Sequence, residues 1–309
     1  PNSDAVKVVY IGSVAQTGDR REPLHWARTG DPIFPSIFDY YAMSKCRAER
    51  IFAESGLKHW VSLRQSGILY PAILKNMDPI MFHVPIRGVL EWATVEDSGR
   101  LLANLCEDGL PEEFWCKFYN IGSGKEYRLT NYDFECYLLG AINCPAPEKI
   151  FDVEWFATHN FHGQYYTDSD LLDQYLHFRC IPAQYYWAGV SGEIERMMKN
   201  PMIAAMMPTA EGMRAHKLEI AKKRMGYLWM KENHEMDWIN AFFGSEEEML
   251  KERPLEMHHP SEEESFLNHG YNEEKGLTDL DVDDLHGAAE YRGGSFKDEA
   301  PGADIDKPV

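Results

Sequence analysis

The stretch Val6-Lys7-Val8-Val9-Tyr10-Ile11-Gly12-Ser13, a helical segment over 39–55, and Trp60-Val61-Ser62-Leu63-Arg64-Gln65-Ser66 together set the fold. The first is short, β-branched and ends at Gly-Ser, which predicts a buried parallel strand. In the second, Tyr41, Lys45, Ala48 and Phe52 share one helical face, and Gly56 stops the helix. The third is another strand. Strand, helix, strand in this order is a βαβ unit, whose ligands belong at the carboxyl ends of the strands. Further along, the pattern predicts helices over 95–106 and 131–142, with a strand over 118–121 that closes on Gly122-Ser123-Gly124. Beyond Pro147 the texture turns helical: 168–177, 188–198, and 209–243 as one long amphipathic helix or a kinked pair. Met197, Met198, Met202, Met206 and Met207 cluster there, either as adaptable core packing or as a pliable lid over an apolar substrate.

The 309 residues, 44% hydrophobic and 26% charged, suffice for one large or two ordinary domains. No run of eighteen apolar residues predicts a membrane span. No charged-then-apolar leader opens the sequence, so the expected location is cytoplasmic. A net charge of −19 argues against nucleic acid as the main partner. That charge is uneven, with −16 carried by 232–309 and −3 by the rest. The expected organisation is therefore an α/β unit over 1–147, a helical extension over 148–243, and an acidic, partly irregular tail over 244–309. Asp279, Asp281 and Asp283 alternate as a calcium loop would, but the glycine such a loop needs is missing. The six cysteines show no C-x-x-C pair or zinc spacing and are expected to be reduced and mostly buried. His159 and His162 lie near Asp168 and Asp170 without a convincingly spaced third ligand. They are pocket or structural histidines, and no metal is expected.

Tyr41-Ala42-Met43-Ser44-Lys45 sets a phenol and an ammonium one helical turn apart. The spacing alone says little, since Tyr227 and Lys231 share it. What separates Tyr41 is its place between a strand ending at Ser13 and a strand carrying Arg64. A phenol near pKa 10 is a poor base at neutral pH, and one ammonium at about 4 Å supplies roughly 4 kcal/mol at an effective dielectric of 20. The ordered set Ser13…Gly18, Tyr41-x-x-Ser44-Lys45-x-x-Ala48-Glu49, Arg64 through Tyr70-Pro71, Val95-Glu96-Asp97 and Tyr119-Asn120-Ile121-Gly122-Ser123-Gly124 resembles the second half of an extended short-chain dehydrogenase/reductase. That is the NAD-dependent epimerase/dehydratase family, and the match covers about residues 6–143.

The resemblance implies a partial Rossmann-like parallel sheet, followed here by a mostly helical C-terminal extension and an acidic tail. It implies Tyr41 as the proton-transfer group, Lys45 as its partner and a ribose ligand, and Ser13 as a hydrogen-bond donor to the reacting oxygen. Ser66 and Gly67 are placed against the nicotinamide of NAD or NADP. Arg21 and His25, with Trp26, are candidate substrate contacts in the loop before Tyr41. Departures are equally informative. The family's diphosphate-binding arginine falls on Leu90, with Arg87 three residues away as a stand-in, which argues against a nucleotide-sugar substrate. Val14-Ala15 replace the Asp-Glu of the sugar 4,6-dehydratases, and no Gly-x-x-Gly-x-x-Gly follows a strand. The expectation is an NAD(P)-dependent oxidoreductase or epimerase acting on a small molecule at a hydroxyl or carbonyl carbon. This sequence would be its C-terminal portion, either homodimeric or associated with a missing N-terminal half. The alternative is a non-catalytic binding or assembly protein that has lost the dinucleotide-binding half.

Overall fold

A computed structural model describes residues 6–18, 25–36, 38–70, 73, 76–107, 109–142, 144–159, 162–201, 209–251 and 253. In chain order the strands are β1 (Lys7–Ser13), β2 (Trp26–Ala27), β3 (His59–Gln65), β4 (Ile68–Leu69), β5 (Val89–Glu91), β6 (Ala93–Thr94), β7 (Lys117–Ile121), β8 (Arg128–Thr130) and β9 (Tyr165–Tyr166). The helices are α1 (Tyr40–Ala53), α2 (Val95–Asn104), α3 (Asn131–Ala141), α4 (Ser169–Leu176), α5 (Ala183–Met198), α6 (Ala210–Ala221), α7 (Tyr227–Asn233), α8 (Met236–Phe243) and α9 (Glu246–Leu250). The main sheet is parallel in the order β1-β3-β7, with Ser13 opposite Gln65 and Arg64 opposite Asn120. Three two-stranded ladders flank it: β2 with β9, β4 with β6, and an antiparallel β5 with β8.

Alternation along β3 assigns its two faces. Val61 and Leu63 pack with Leu101, Phe114, Leu172 and Phe178, so α2 and α4 cover one side. Ser62 and Arg64 face α1 on the other. There Glu49 accepts from Ser62 Oγ at 2.6 Å, Arg64 Nε at 3.1 Å and Arg64 Nη2 at 2.8 Å. Arg64 also donates to the Thr29 carbonyl at 3.1 Å. Glu49 and Arg64 are 1% and 2% exposed, so a fully buried, hydrogen-bonded ion pair rivets α1 to the sheet.

The strand β1 departs from the expectation of burial. Among the described residues it is an edge strand, and Val9 and Ile11 stay over one-third exposed. Its β-branched composition signals a central strand, but only one of its edges is paired. The segment 209–243 is neither one helix nor a kinked pair but three helices. Met225 (φ 73°) and His234 (φ 51°) take left-handed backbone at the two breaks. At Gly226 a Cβ would meet the Ala221 carbonyl oxygen at 2.3 Å, so the chain reverses too tightly for any other residue. The cysteines are also less enclosed than expected. All six are free, Cys106 and Cys180 are exposed, and the other four are half-buried.

Packing runs across residue 147. Phe82, Tyr132 and Leu139 share one core with Phe151, Phe156, Ile220, Phe242 and Met249. The helical region therefore closes over the α/β unit rather than forming a separate core. Within the proposed acidic tail, α9 docks Met249 into that core, while 254–309, with Asp279 to Asp283, lie outside the described residues. Met202, Met206 and Met207 do too. No helix among the described residues is long and apolar enough to cross a membrane.

Candidate active site

Ser13 is the last residue of β1 and the cap of the following short 3-10 helix. Its Oγ accepts from Ala15 N at 3.2 Å, and its own N–H donates to Gln16 Oε1 at 2.8 Å. With an N–H occupying a lone pair, the hydroxyl proton is left to be given away. Asp39 caps α1, accepting from Ala42 N at 2.9 Å through Oδ1. Its Oδ2 takes a bond from His162 Nε2 at 3.1 Å. This cap fixes the first turn of α1 and therefore Tyr41, which is 53% exposed. Lys45, one turn on, sends Nζ to the Ile11 carbonyl at 2.8 Å, with its ammonium 5.6 Å from the centroid of the Tyr41 ring. Beneath it Tyr10 donates to the Lys45 carbonyl at 3.1 Å. Burial, with the Glu49 carboxylate adding to it, pushes the Tyr10 phenol up to about 12, so Tyr10 stays protonated and structural.

Ser13, Tyr41, Ser66 and Gly67 line a single cavity of about 630 Å3 at the carboxyl ends of β1 and β3. Lys45 lies behind Tyr41 rather than in the wall. Gly67 has no room for a side chain, since a Cβ would meet Leu90 and Trp92 within 2.8 Å. The other substrate candidates sit elsewhere. His25 is buried, and its carbonyl accepts from Tyr165 N at 2.8 Å where β2 meets β9, away from the cavity wall. Arg87 is exposed on the turn before β5, and its neighbour Gly88 reaches the cavity instead. Arg21 lies outside the described residues.

The loop Gly122-Ser123-Gly124 is filled by protein. A Cβ at Gly122 would meet Glu91 Oε1 at 2.4 Å, and one at Gly124 would meet Arg179 Nη1 at 3.0 Å. A carboxylate pressed on the backbone is the wrong surface for a phosphate. Asp168 and Asp170 are engaged with Thr29 and Asn120 and with Arg179 respectively. Among the described residues no cluster of His, Cys, Asp or Glu could hold a metal.

Several cavity residues carry no motif in the sequence. His83 donates Nε2–H to the Met225 carbonyl at 2.9 Å and stacks on Phe242 at 3.9 Å. Burial lowers its pKa to about 4, so the imidazole is neutral with Nδ1 as acceptor. Glu135 on α3 and Lys217 on α6 also reach the cavity, 1% and 6% exposed. A weaker signal does mark these two, because each interrupts an apolar stripe: Tyr132, Glu135, Leu139 in one helix and Met213, Lys217, Ile220 in the other.

The chain matches no family model and no curated protein at significance. Among solved structures it is similar to the dTDP-glucose 4,6-dehydratase of Bacillus anthracis in complex with NAD. The identity is 16% over 63% of this chain and 62% of that one, with a TM-score of 0.46. It is similar to the UDP-glucuronic acid 4-epimerase of Bacillus cereus in complex with UDP-glucuronic acid and NAD, at 13% identity over 62% and 63%, TM-score 0.47. A short-chain dehydrogenase/reductase superfamily protein of Agrobacterium tumefaciens with bound NAD shows 12% identity over 64% and 70%, TM-score 0.49. The chain thus spans less than two-thirds of the length of the first two. What it shares with these NAD-dependent extended short-chain dehydrogenase/reductase structures is a partial likeness at TM-scores below 0.5, which carries no weight for substrate or activity.

Proposed function

We propose that this chain forms the catalytic side of an NAD(P)-dependent oxidoreductase or epimerase of the extended short-chain dehydrogenase/reductase type, acting at a hydroxyl or carbonyl carbon. The observation that carries this reading is the convergence of Ser13, Tyr41, Ser66 and Gly67 on one cavity, with the Lys45 ammonium against the Tyr41 ring. The cavity's position at the strand carboxyl ends fits the nicotinamide end of a dinucleotide. Gln65, Ser66 and Gly67 would flank that ring. When bound, the nicotinamide supplies the hydride acceptor or donor. Tyr41 then takes or returns the hydroxyl proton through its phenol oxygen, according to direction. Ser13 Oγ donates to the same substrate oxygen and holds it in place. Lys45, tied to the end of β1 through the Ile11 carbonyl, holds its ammonium against the Tyr41 ring. His162 and Asp39 hold the turn that carries Tyr41.

The pyrophosphate needs a glycine-rich loop, and the described residues contain none that a phosphate could enter. The edge of β1 that is unpaired among the described residues supports pairing with further strands. We assign the pyrophosphate site to such strands, whether earlier in the same polypeptide or on an associated one.

The test is cofactor binding and turnover. NADH fluorescence is titrated with the chain alone and with any co-purifying fragment, and Tyr41→Phe and Ser13→Ala are assayed for NAD(P)-linked oxidation of secondary alcohols. Tyr41→Phe is expected to lose about 10²-fold or more in kcat, the contribution of general acid–base catalysis, with cofactor affinity retained. No NADH binding under either condition would return the chain to the alternative of a non-catalytic assembly protein.

A further inference from the structure

The proton-transfer chemistry uses one end of the cavity and leaves Glu135 and Lys217 unexplained. Neither carboxylate oxygen of Glu135 has a hydrogen-bond partner among the described residues. Among the described residues the Lys217 ammonium meets the Met81 thioether, at 3.8 Å, and the face of the Phe151 ring, at 5.6 Å. The two side chains do not bond to each other, yet both border the same space. Leaving a buried carboxylate and a buried ammonium apart costs several kcal/mol, and cores do not keep such groups on two apolar stripes without return. Burial drives the Glu135 carboxyl upward from its ordinary range while Lys217 opposes the shift. The same cavity is lined by the apolar Leu90, Trp92, Leu129, Phe134, Trp238 and Phe242 and by the polar Asn76, His83, Asn131 and His162.

We infer that Glu135 and Lys217 form a recognition subsite, in the cavity that Tyr41 also lines, for a hydroxyl group of a largely apolar substrate. This rests on the oxidoreductase reading for the identity of the reacting end. Lys217 repels a ligand ammonium, and Glu135 when ionised repels a ligand carboxylate. A hydroxyl both accepts and donates, so one neutral group satisfies both residues whichever protonation state Glu135 holds.

The test measures coupling between the ligand hydroxyl and Glu135. The binding of 4-(4-hydroxycyclohexyl)cyclohexanone is compared with that of 4-cyclohexylcyclohexanone, and 4-hydroxycyclohexanone with cyclohexanone, by calorimetry and by the fluorescence of Trp92 and Trp238. Wild-type protein, Glu135→Leu and Lys217→Met are each titrated after their melting curves establish that they fold. For at least one pair, the affinity ratio of hydroxylated to plain ketone is expected to fall about ten-fold or more in Glu135→Leu, as for a hydrogen bond to a charged group. Lys217→Met should shift it the same way. Equal ratios in wild type and both variants would overturn the subsite, as would the absence of saturable binding by any of the four ketones. The titration needs neither cofactor nor turnover. If Tyr41→Phe turned substrate over normally while the ratio still collapsed in Glu135→Leu, the catalytic reading alone would fall.

Discussion

Replacing Glu49 by alanine removes the acceptor of three hydrogen bonds between α1 and the sheet, at 2.6, 2.8 and 3.1 Å. Arg64 would keep only the Thr29 carbonyl at 3.1 Å and the Phe118 ring at 5.3 Å, in a site 2% exposed. Removing one member of a buried ion pair strands the other, which costs about 3–5 kcal/mol. The neighbouring exposed pair is the internal comparison. Arg50 meets Glu54 at 2.7 Å with both side chains more than half exposed, so Arg50→Ala should cost at most about 0.5 kcal/mol. The double replacement Glu49→Leu with Arg64→Met removes both charges and should recover most of the loss. Urea denaturation followed by far-ultraviolet circular dichroism measures all four proteins. Because α1 carries Tyr41 and Lys45, turnover should fall in Glu49→Ala even under conditions where the protein remains folded. A cost for Glu49→Ala no larger than that of Arg50→Ala would refute the claim that this pair holds α1 on the sheet.

Other consequences are separable from that one. Tyr41 is half-exposed and its phenol oxygen bonds nothing among the described residues, so Tyr41→Phe should leave stability within about 0.5 kcal/mol while abolishing turnover; a lowered Tm would point to a packing role instead. His83 is held neutral with its pKa at about 4 rather than 6.5, so unfolding takes up a proton between those values. The stability that this neutral His83 contributes is complete above pH 6.5 and falls by roughly 3 kcal/mol as pH drops through 4. His83→Gln should show a correspondingly flatter acid limb in denaturant titrations between neutral pH and the acid side of that window, and parallel limbs would count against it. At Gly18, φ is +81° and a Cβ would stand 1.9 Å from the Phe34 carbonyl oxygen, so Gly18→Ala should cost at least about 2 kcal/mol by thermal denaturation. A neutral result there would mean that the turn after Ser13 is not held as described.

The parallel β1-β3-β7 sheet and the helices α1 to α4 follow directly from strand composition, alternation and stop signals, with ends shifted by a few residues. The Tyr41–Lys45 neighbourhood follows equally, since i and i+4 positions are fixed by helix geometry alone. What local pattern could not supply was closure. The breaks at Met225 and His234 require left-handed backbone at non-glycine residues, for which composition gives no warning. The exposure of Val9 and Ile11 depends on what packs against that face of β1, and β-branched side chains look the same on a covered face as on an open one. His25 lies just before β2, its carbonyl held by Tyr165 N, far along the chain, rather than in the cleft. His83, Glu135 and Lys217 meet only because the 148–251 region folds back over α3. Of the three, Glu135 and Lys217 at least stand out as charges within apolar helical stripes, whereas nothing local distinguishes His83.

The shared core that spans residue 147 separates two duties by where they come from in the chain. Ser13, Tyr41, Ser66 and Gly67 arise before residue 70, while Lys217, Trp238 and Phe242, which line the same cavity, arise after 210. On the proposed reading, changes among the later residues would alter which molecule is admitted without touching Ser13 or Tyr41, and one reaction could be fitted to many substrates by drift in the covering helices alone.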